Sequence, residues 1–405
     1  MTVRVNKPSF NIREKLSELG RKFGLKGSEL AAAETVQEAR EIVSAGRKNL
    51  IINGAMEVAQ RATSATGVGA AFSYYTLDRY QFRSSGHGGR YTMSQSATNP
   101  GEGFSKSLKF EVTTADSSVA SAEYAGFSTR FEGQDVQQLA FGSSKAKPLT
   151  LSFWVRSNVT GTYSVFFANW WSSTGRLINR TFTINRSNTW EKKVLTIPGD
   201  TDSNNSIPEN NSAGMEIGWT FTSGTTYNDG SDGSVWHNSS SAGKRHYGHE
   251  VNFADTVGNT FYITGIQLEV GRNATEFEHR SYGEELGLCE RYFEKIWQNN
   301  NTASPHSGGD GYNTISPGIH NGSYGYYVWK FRTQKRIRPT INYDGKFRVF
   351  GASSNTNLVF NEFYSPGIDA ARLRINHSGS AGQAFILEFD GGNSSNGYIS
   401  ASAEL

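Results

Sequence analysis

Cysteine is almost missing from this chain. Cys289 stands alone among 405 residues, so no intrachain disulfide can form, and with no histidine or cationic pocket beside it a buried packing role is expected over a reactive thiol. No run approaches the roughly 20 consecutive apolar residues that a membrane-spanning helix needs. The opening MTVRVNKPSF lacks the apolar core of a signal peptide, so synthesis without secretion is expected. The sequons at Asn158 and Asn273 are then chance matches in a chain rich in Asn, Ser and Thr. Charge of one sign is lacking too: a formal net charge of +3 gives no reason to expect nucleic acid or an anionic membrane as partner.

The usual signatures of catalysis are also absent. There is no phosphate-binding glycine loop and no GxSxG elbow, and nothing in the sequence selects two carboxylates as a glycoside-cleaving pair. Asp200, Asp202 and Asn204 match the first three side-chain ligands of a calcium loop, but Asn205 replaces its glycine and Asn211 its bidentate glutamate, so a solvated turn is expected. His246, His249 and Glu250 have neither zincin nor structural-zinc spacing. No cofactor and no metal are expected. The basic run KFRTQKRIRP, with Lys335, Arg336 and Arg338, reads as protection for a sheet edge or a solvated turn, with contact to phosphate or an anionic sugar as the alternative.

What the chain does have is glycine, at 44, and aromatic residues, with 18 Tyr, 25 Phe and 8 Trp. Proline is scarce, and the mix favours strands and tight turns over helical bundles. LTLSFWVRS places Leu149, Leu151, Phe153 and Val155 on one face, and SLKFEV does the same with Leu108, Phe110 and Val112. About ten such runs between 49 and 270 predict an antiparallel β-sandwich or barrel. Phe153, Trp154 and Trp190 read as core. YITGIQLEV puts Tyr262, Ile266, Leu268 and Val270 on one face. Ser281 and Glu284 then form a capping box, and Tyr282, Leu286, Cys289, Phe293 and Ile296 predict one apolar helical stripe that joins the sandwich to the C-terminal part of the chain.

Three segments result. Residues 1–48 carry two short amphipathic helices that need a partner to bury them. Residues 49–297 form the sandwich with its terminal helix. After the low-complexity QNNNTASPHSGGDGYNT, residues 298–405 are a second, smaller β module, in which YGYYVWKFRT turns Tyr327, Trp329 and Phe331 to one side and Asp344-Gly345 predicts a hairpin turn. The fold class is mainly β.

Aromatic residues in polar surroundings are the candidate binding elements. Trp170 and Trp171 are adjacent, so on a strand they face opposite ways. Tyr227, Trp236 and Tyr247 share a loop too long to be a mere connection, and Tyr324 and Trp329 lie in the last module. An aromatic plane against a sugar ring, with polar groups bonding its hydroxyls, suits such residues. Plugging the sandwich end or an interchain contact is the alternative.

Several segments together resemble the tail-fibre and related virion structural proteins of tailed, particularly marine, bacteriophages. They are NKPSFNIREKLSELG at 6–20, AETVQEAREIVSAGRKNLIINGAMEVAQR at 33–61, YTLDRYQF at 75–82, LTLSFWVRSNVTGTYSVFF at 149–167, NTWEKKVLTIPGDT at 188–201 and ITGIQLEVGRNATEFEHRSYGEELGLCERYFEK at 263–295. The resemblance implies a virion-attachment segment at 1–48, which would bind other tail or capsid proteins, and a jelly roll similar to carbohydrate-binding modules at 49–297. It also implies a homotrimer and a distal receptor-binding or trimer-forming module at 298–405. The expectation is a non-catalytic tail fibre, made in the host cytoplasm and assembled on the virion, that adsorbs to a host surface polysaccharide. The alternatives are a head fibre or capsid decoration protein and a polysaccharide depolymerase.

Overall fold

The computed structural model describes residues 48–297, 314–345, 347–350, 358–364, 366–389 and 398–405. The chain divides into two compact units, Met1–Asn49 and Leu50–Leu405. The helices expected before residue 48 and the low-complexity stretch 298–313 lie outside the described residues.

Twelve strands make up the first sandwich: β1 (Ser64–Val68), β2 (Gln81–Ser85), β3 (Arg90–Ser96), β4 (Ser107–Thr114), β5 (Tyr124–Glu132), β6 (Leu149–Ser157), β7 (Gly161–Asn169), β8 (Arg176–Ile184), β9 (Glu191–Ile197), β10 (Ala213–Ser223), β11 (His237–Asn238) and β12 (Thr260–Val270). They form two six-stranded antiparallel sheets, ordered β1-β3-β4-β12-β6-β9 and β11-β8-β7-β10-β5-β2. Successive strands from β4 to β7 alternate between the sheets, as in a jelly roll. The alternation read from sequence places the core: Leu108, Phe110, Leu149, Leu151, Phe153 and Val155 are all fully buried. Phe127 stacks on Trp219 at 4.9 Å between ring centroids, and Phe153 meets the same indole edge-on. Trp154 and Trp190 are half-buried, outside this core.

One strand breaks its own period. Phe261 and Ile263 of β12 point inward, and so do Ile266 and Leu268. Odd positions give way to even ones at a β-bulge between Thr264 and Gln267, where Gly265 adopts a φ of 62°. Tyr262, expected inside, therefore faces out and meets Trp190 edge-on. The extra residue of a bulge flips every side chain beyond it to the other face.

Helix α1 (Tyr282–Glu290) is capped as its sequence predicts: the Ser281 hydroxyl accepts from the Glu284 backbone N–H at 3.3 Å. The expected five-residue stripe does not form. Tyr282 is 59% exposed, while Phe293 and Ile296 have left the helix for β13 (Phe293–Trp297). Cys289 is fully buried, as expected. Burial pushes its thiol well up.

The second sandwich takes its first strand from β13, ahead of the boundary expected at 298. Its other strands are β14 (Thr314–His320), β15 (Gly325–Lys330), β16 (Thr340–Asp344), β17 (Phe347–Phe350), β18 (Phe360–Tyr364), β19 (Ala370–Ile375), β20 (Ala384–Phe389) and β21 (Tyr398–Ser402). A three-stranded sheet, β13-β21-β16, faces a six-stranded one, β17-β20-β14-β15-β19-β18. Asp344-Gly345 is a turn, with φ 91° at the glycine, but not a hairpin. β16 pairs with β21 and β17 with β20, so the turn carries the chain from one sheet to the other.

Ion pairs tie the two sandwiches together. Arg291, just past α1, grips the buried carboxylate of Glu132 on β5 through two bonds of 2.6 and 2.7 Å. Glu404 takes Arg61 at 3.0 Å and Arg79 as well. Of the basic run expected at a sheet edge or solvated turn, Lys335 and Arg336 lie in this junction instead, while Arg338 is exposed. Lys335 is 1% exposed and pairs with Glu294 at 2.6 Å, while Arg336 donates to the carbonyls of Asn211, Ala403 and Glu404. Guanidinium and ammonium groups here neutralise buried carboxylates and satisfy carbonyls where the modules meet.

Candidate functional site

The second sheet of the first sandwich has a core face and an outer face, and strand alternation decides what the outer face shows. On β10, Met215, Ile217, Trp219 and Phe221 enter the core, which turns Glu216, Gly218 and Thr220 outward. By the same rule β5 presents Tyr124, Gly126 and Arg130, β7 presents Phe166, and β2 presents Arg83. Gly218 is required here, because a Cβ on it would overlap the Phe166 ring that crosses β10. Phe166, Ala168 and Leu177 form a small apolar cluster apart from the main core, with Trp170 packed against it.

Glu216 lies at the centre, fully buried. The Trp170 indole N–H donates to it at 2.7 Å, and the guanidiniums of Arg83 and Arg130 approach within 3.4 and 3.5 Å. Burial alone would raise its pKa. The two guanidiniums, with the bond from Trp170, outweigh burial and hold the carboxyl below its ordinary range. Glu216 is therefore an anion at neutral pH, not a proton donor.

Around it cations and rings interleave. The Arg83 guanidinium lies 5.4 Å from the ring of Phe72, 5.9 Å from Tyr124, 4.8 Å from Phe166 and 5.8 Å from Trp170. Arg245 stands 5.5 Å from both Trp170 and Tyr227, and Arg130 lies 5.6 Å from Trp171. Tyr124 and Tyr227 meet edge-to-face at 5.0 Å. Phe72 and Trp171 are the exposed rims, at 44% and 42%. The indentation between Arg83, Tyr124, Phe166 and His246 holds about 10 Å³, room for one water. A larger ligand must lie across the rings. The hydroxyl of Thr220 in its wall has no hydrogen-bond partner.

Part of this face comes from the long loop after β10. His246 N donates to the Tyr227 carbonyl at 2.9 Å, and the Asn228 side chain donates to the His249 carbonyl at 2.7 Å, so both ends are pinned together. His246 and His249 are buried, and burial lowers both imidazoles, His249 to about 4. His246 contacts the Ser223 hydroxyl at 2.8 Å, and His249 accepts from Ser164 N at 3.3 Å. At Asp200 and Asp202 the position a calcium ion would take is filled by the Arg176 guanidinium, at 2.7 and 3.2 Å.

Of the residues expected from sequence, Trp170, Trp171 and Tyr227 meet on this face. Tyr247 is half-buried elsewhere in the loop, beside Gly233. Trp236 packs edge-on against Phe141 and donates to the Pro198 carbonyl at 2.7 Å, away from the set. Tyr324 belongs to the second sandwich, under the Arg374 guanidinium at 4.5 Å. Trp329 is 2% exposed and packs on Phe331 in the second core, so it presents no surface to a ligand. Sequence reasoning missed Arg83, Arg130, Tyr124, Phe166, Glu216 and Arg245. A signal was available for two: in QFRSS and MEIGWTFTS a charged residue, Arg83 or Glu216, stands next to a core apolar residue, which places it on the opposite face.

No protein-family model and no curated protein sequence matches the chain. Among solved structures, 55% of this chain overlaps 21% of the chain of the enzymatically active domain of tailspike protein 4 of bacteriophage CBA120, at 12% identity and a TM-score of 0.30. A family 11 carbohydrate-binding module of Clostridium thermocellum, in complex with a beta-1,3-1,4-mixed-linked tetrasaccharide, matches at 11% identity and a TM-score of 0.27, over 54% of this chain and 99% of that one. The N-terminal modules of endo-1,4-beta-D-xylanase 10B of the same organism, complexed with xylohexaose, match at 10% identity and a TM-score of 0.25, over 54% of this chain and 30% of that one.

Proposed function

We propose that the outer face of the second sheet binds a glycan, and an acidic one, and that the protein is a non-catalytic virion fibre of a tailed bacteriophage adsorbing to host surface polysaccharide. The observation that carries the binding reading is the Arg83 guanidinium set among four rings, beside Arg130 and Arg245. Aromatic planes suit the apolar faces of sugar rings, and three guanidiniums around the single charge of Glu216 leave a surplus of positive charge for carboxylate or sulfate groups. Glu216, ionised and clamped, is unsuited to general-acid cleavage, which supports binding over hydrolysis. The fibre reading rests on the sequence resemblance, and so do the homotrimer, the attachment role of residues 1–48 and the place on the virion. Weak sites on three chains and several fibres would act together, with avidity gains of roughly 10² to 10⁴.

The test is calorimetric titration of the full chain with matched neutral and uronate-bearing oligosaccharides. The acidic ligand should bind more tightly, and Trp171→Ala should weaken it about tenfold. Equal affinity for both ligands would reject the preference for an acidic glycan, and no affinity for either would reject the binding reading. Shortening of the polysaccharide on incubation would make the protein a depolymerase. Gold-tagged antibody against residues 298–405 should mark tail fibres on intact virions. Gold over the capsid would move the protein to the head-fibre class.

A further inference from the structure

At the end of the first sandwich, three residues from two loops converge. His87 lies in the loop that follows β2, Asp116 follows β4, and Glu123 immediately precedes β5. One ligand atom from each falls within 4.8 Å of the others. The imidazole is 3% exposed, and its Nδ1 stands 3.0 Å from Asp116 Oδ2. Its other nitrogen, Nε2, meets the Tyr91 hydroxyl at 2.9 Å. A partner on the far nitrogen is how a ligating histidine is held in one tautomer, leaving the near nitrogen free to bind.

The surrounding backbone is shaped to fit. His87 sits in the run Gly86-His87-Gly88-Gly89, and each glycine makes room for one member of the cluster. A Cβ on Gly86 would lie 3.3 Å from Glu123 Cγ, and one on Gly88 would lie 3.1 Å from Asp116 Oδ2; one on Gly89 would run into the His87 ring. The carboxylates are fixed as well. Gly88 N donates to Asp116 Oδ2 and Ala120 N to Glu123 Oε2, each at 2.8 Å, and the Asn252 side chain holds the Asp116 carbonyl at 2.8 Å. On the far side of the loop, the Arg90 guanidinium donates to the carbonyls of His87, Gly88 and Gly89.

We propose that His87 Nδ1, Asp116 and Glu123 form a site for a divalent transition-metal ion of the zinc class, with water completing its coordination. One imidazole and two carboxylates suit such an ion better than calcium, which takes six to eight oxygens. The sequence expectation of no metal came from spacing, and these ligands match no metal-site pattern: His87 reaches Asp116 and Glu123 only when β2, β4 and β5 are in place. Asp116 and Glu123 lie in the β4–β5 connection and His87 in the β2–β3 connection; each connection crosses from one sheet to the other, so the ion clips two crossovers together at one end of the sandwich. The clip stands whether or not the outer face binds a glycan.

The experiment strips the full chain with a chelator, dialyses it, and titrates Zn²⁺ alone by calorimetry and thermal unfolding. The expected result is one equivalent bound with micromolar or tighter affinity and a rise in melting temperature of about 5 °C at saturating metal. Asp116→Asn and Glu123→Gln should each abolish that equivalent and the metal-dependent rise. Near-UV circular dichroism on both variants checks that the fold is retained. No binding below about millimolar Zn²⁺, or an unchanged equivalent in both variants, would overturn the proposal. So would variants that lower the melting temperature equally with and without metal, because a cluster serving only as a hydrogen-bonded strut behaves in that way.

Discussion

Arg83 owes its surroundings to Phe82. Because that phenylalanine is claimed by the core, its neighbour must project outward, into a face where β5, β7 and β10 supply rings and one carboxylate. Arg83→Gln should therefore weaken an acidic glycan about tenfold or more while leaving a neutral one nearly unchanged, as paired titrations would read. Trp171 is 42% exposed, so its replacement by alanine should shift stability by no more than about 0.5 kcal/mol. His249 makes a different prediction. Burial takes its pKa down to about 4, against about 6.5 when unfolded. The folded state refuses a proton the unfolded chain accepts, so this contribution is intact above pH 6.5 and fades as pH falls towards 4, by up to ~3 kcal/mol. Asp78 opposes it: burial pushes that carboxyl up to about 7, so its contribution is present at low pH and lost as pH rises through 7. The useful measurement is the difference in denaturant stability between wild type and His249→Gln at pH 7 and pH 4.5. Equal pH dependence in both proteins would refute the assignment.

Elements were legible where a single period ran unbroken. The inward sets of β4, β6 and β15 were read correctly because alternation is local and one buried face enforces it. Trp329 shows the limit of that reading, since the stripe that placed it inside also made it useless as a ligand contact. Failures came where partners distant in sequence set the outcome. Gly265 flips β12 because its neighbours are staggered there, and Asp344-Gly345 turns the chain into a different sheet because β21 and β20 claim its two flanks. The outer face of the second sheet was legible in Trp170, Trp171 and Tyr227, which stand beside polar loops, but not in Arg83 or Glu216. A charged residue in an alternating strand looks solvated until the loop that covers it is known. Gly265 also yields a test. With φ at 62° and the Phe104 ring against any added Cβ, Gly265→Ala should cost about 1–3 kcal/mol. A lowered midpoint with an unchanged denaturant slope would show it.

At the scale of the molecule, the junction decides whether two sandwiches behave as one. Residues Leu50–Leu405 form a single compact unit, in which two separate hydrophobic cores are joined by ion pairs. Arg291→Ala removes the ion-pair partner of Glu132, whose side chain is 0% exposed and keeps the Gln134 amide as a donor, and should cost about 3 kcal/mol. Calorimetry should then resolve two unfolding transitions where the wild type shows one; a single transition in both would mean the modules are coupled by other contacts. The same junction governs how the chain is made. Arg79 finds its carboxylate on Glu404, 325 residues later. At roughly 5–20 residues per second a ribosome takes on the order of tens of seconds to cover that distance. Throughout that interval the nascent first sandwich holds the Arg79 guanidinium at its base on the Arg130 carbonyl, without the carboxylate that neutralises it in the finished chain.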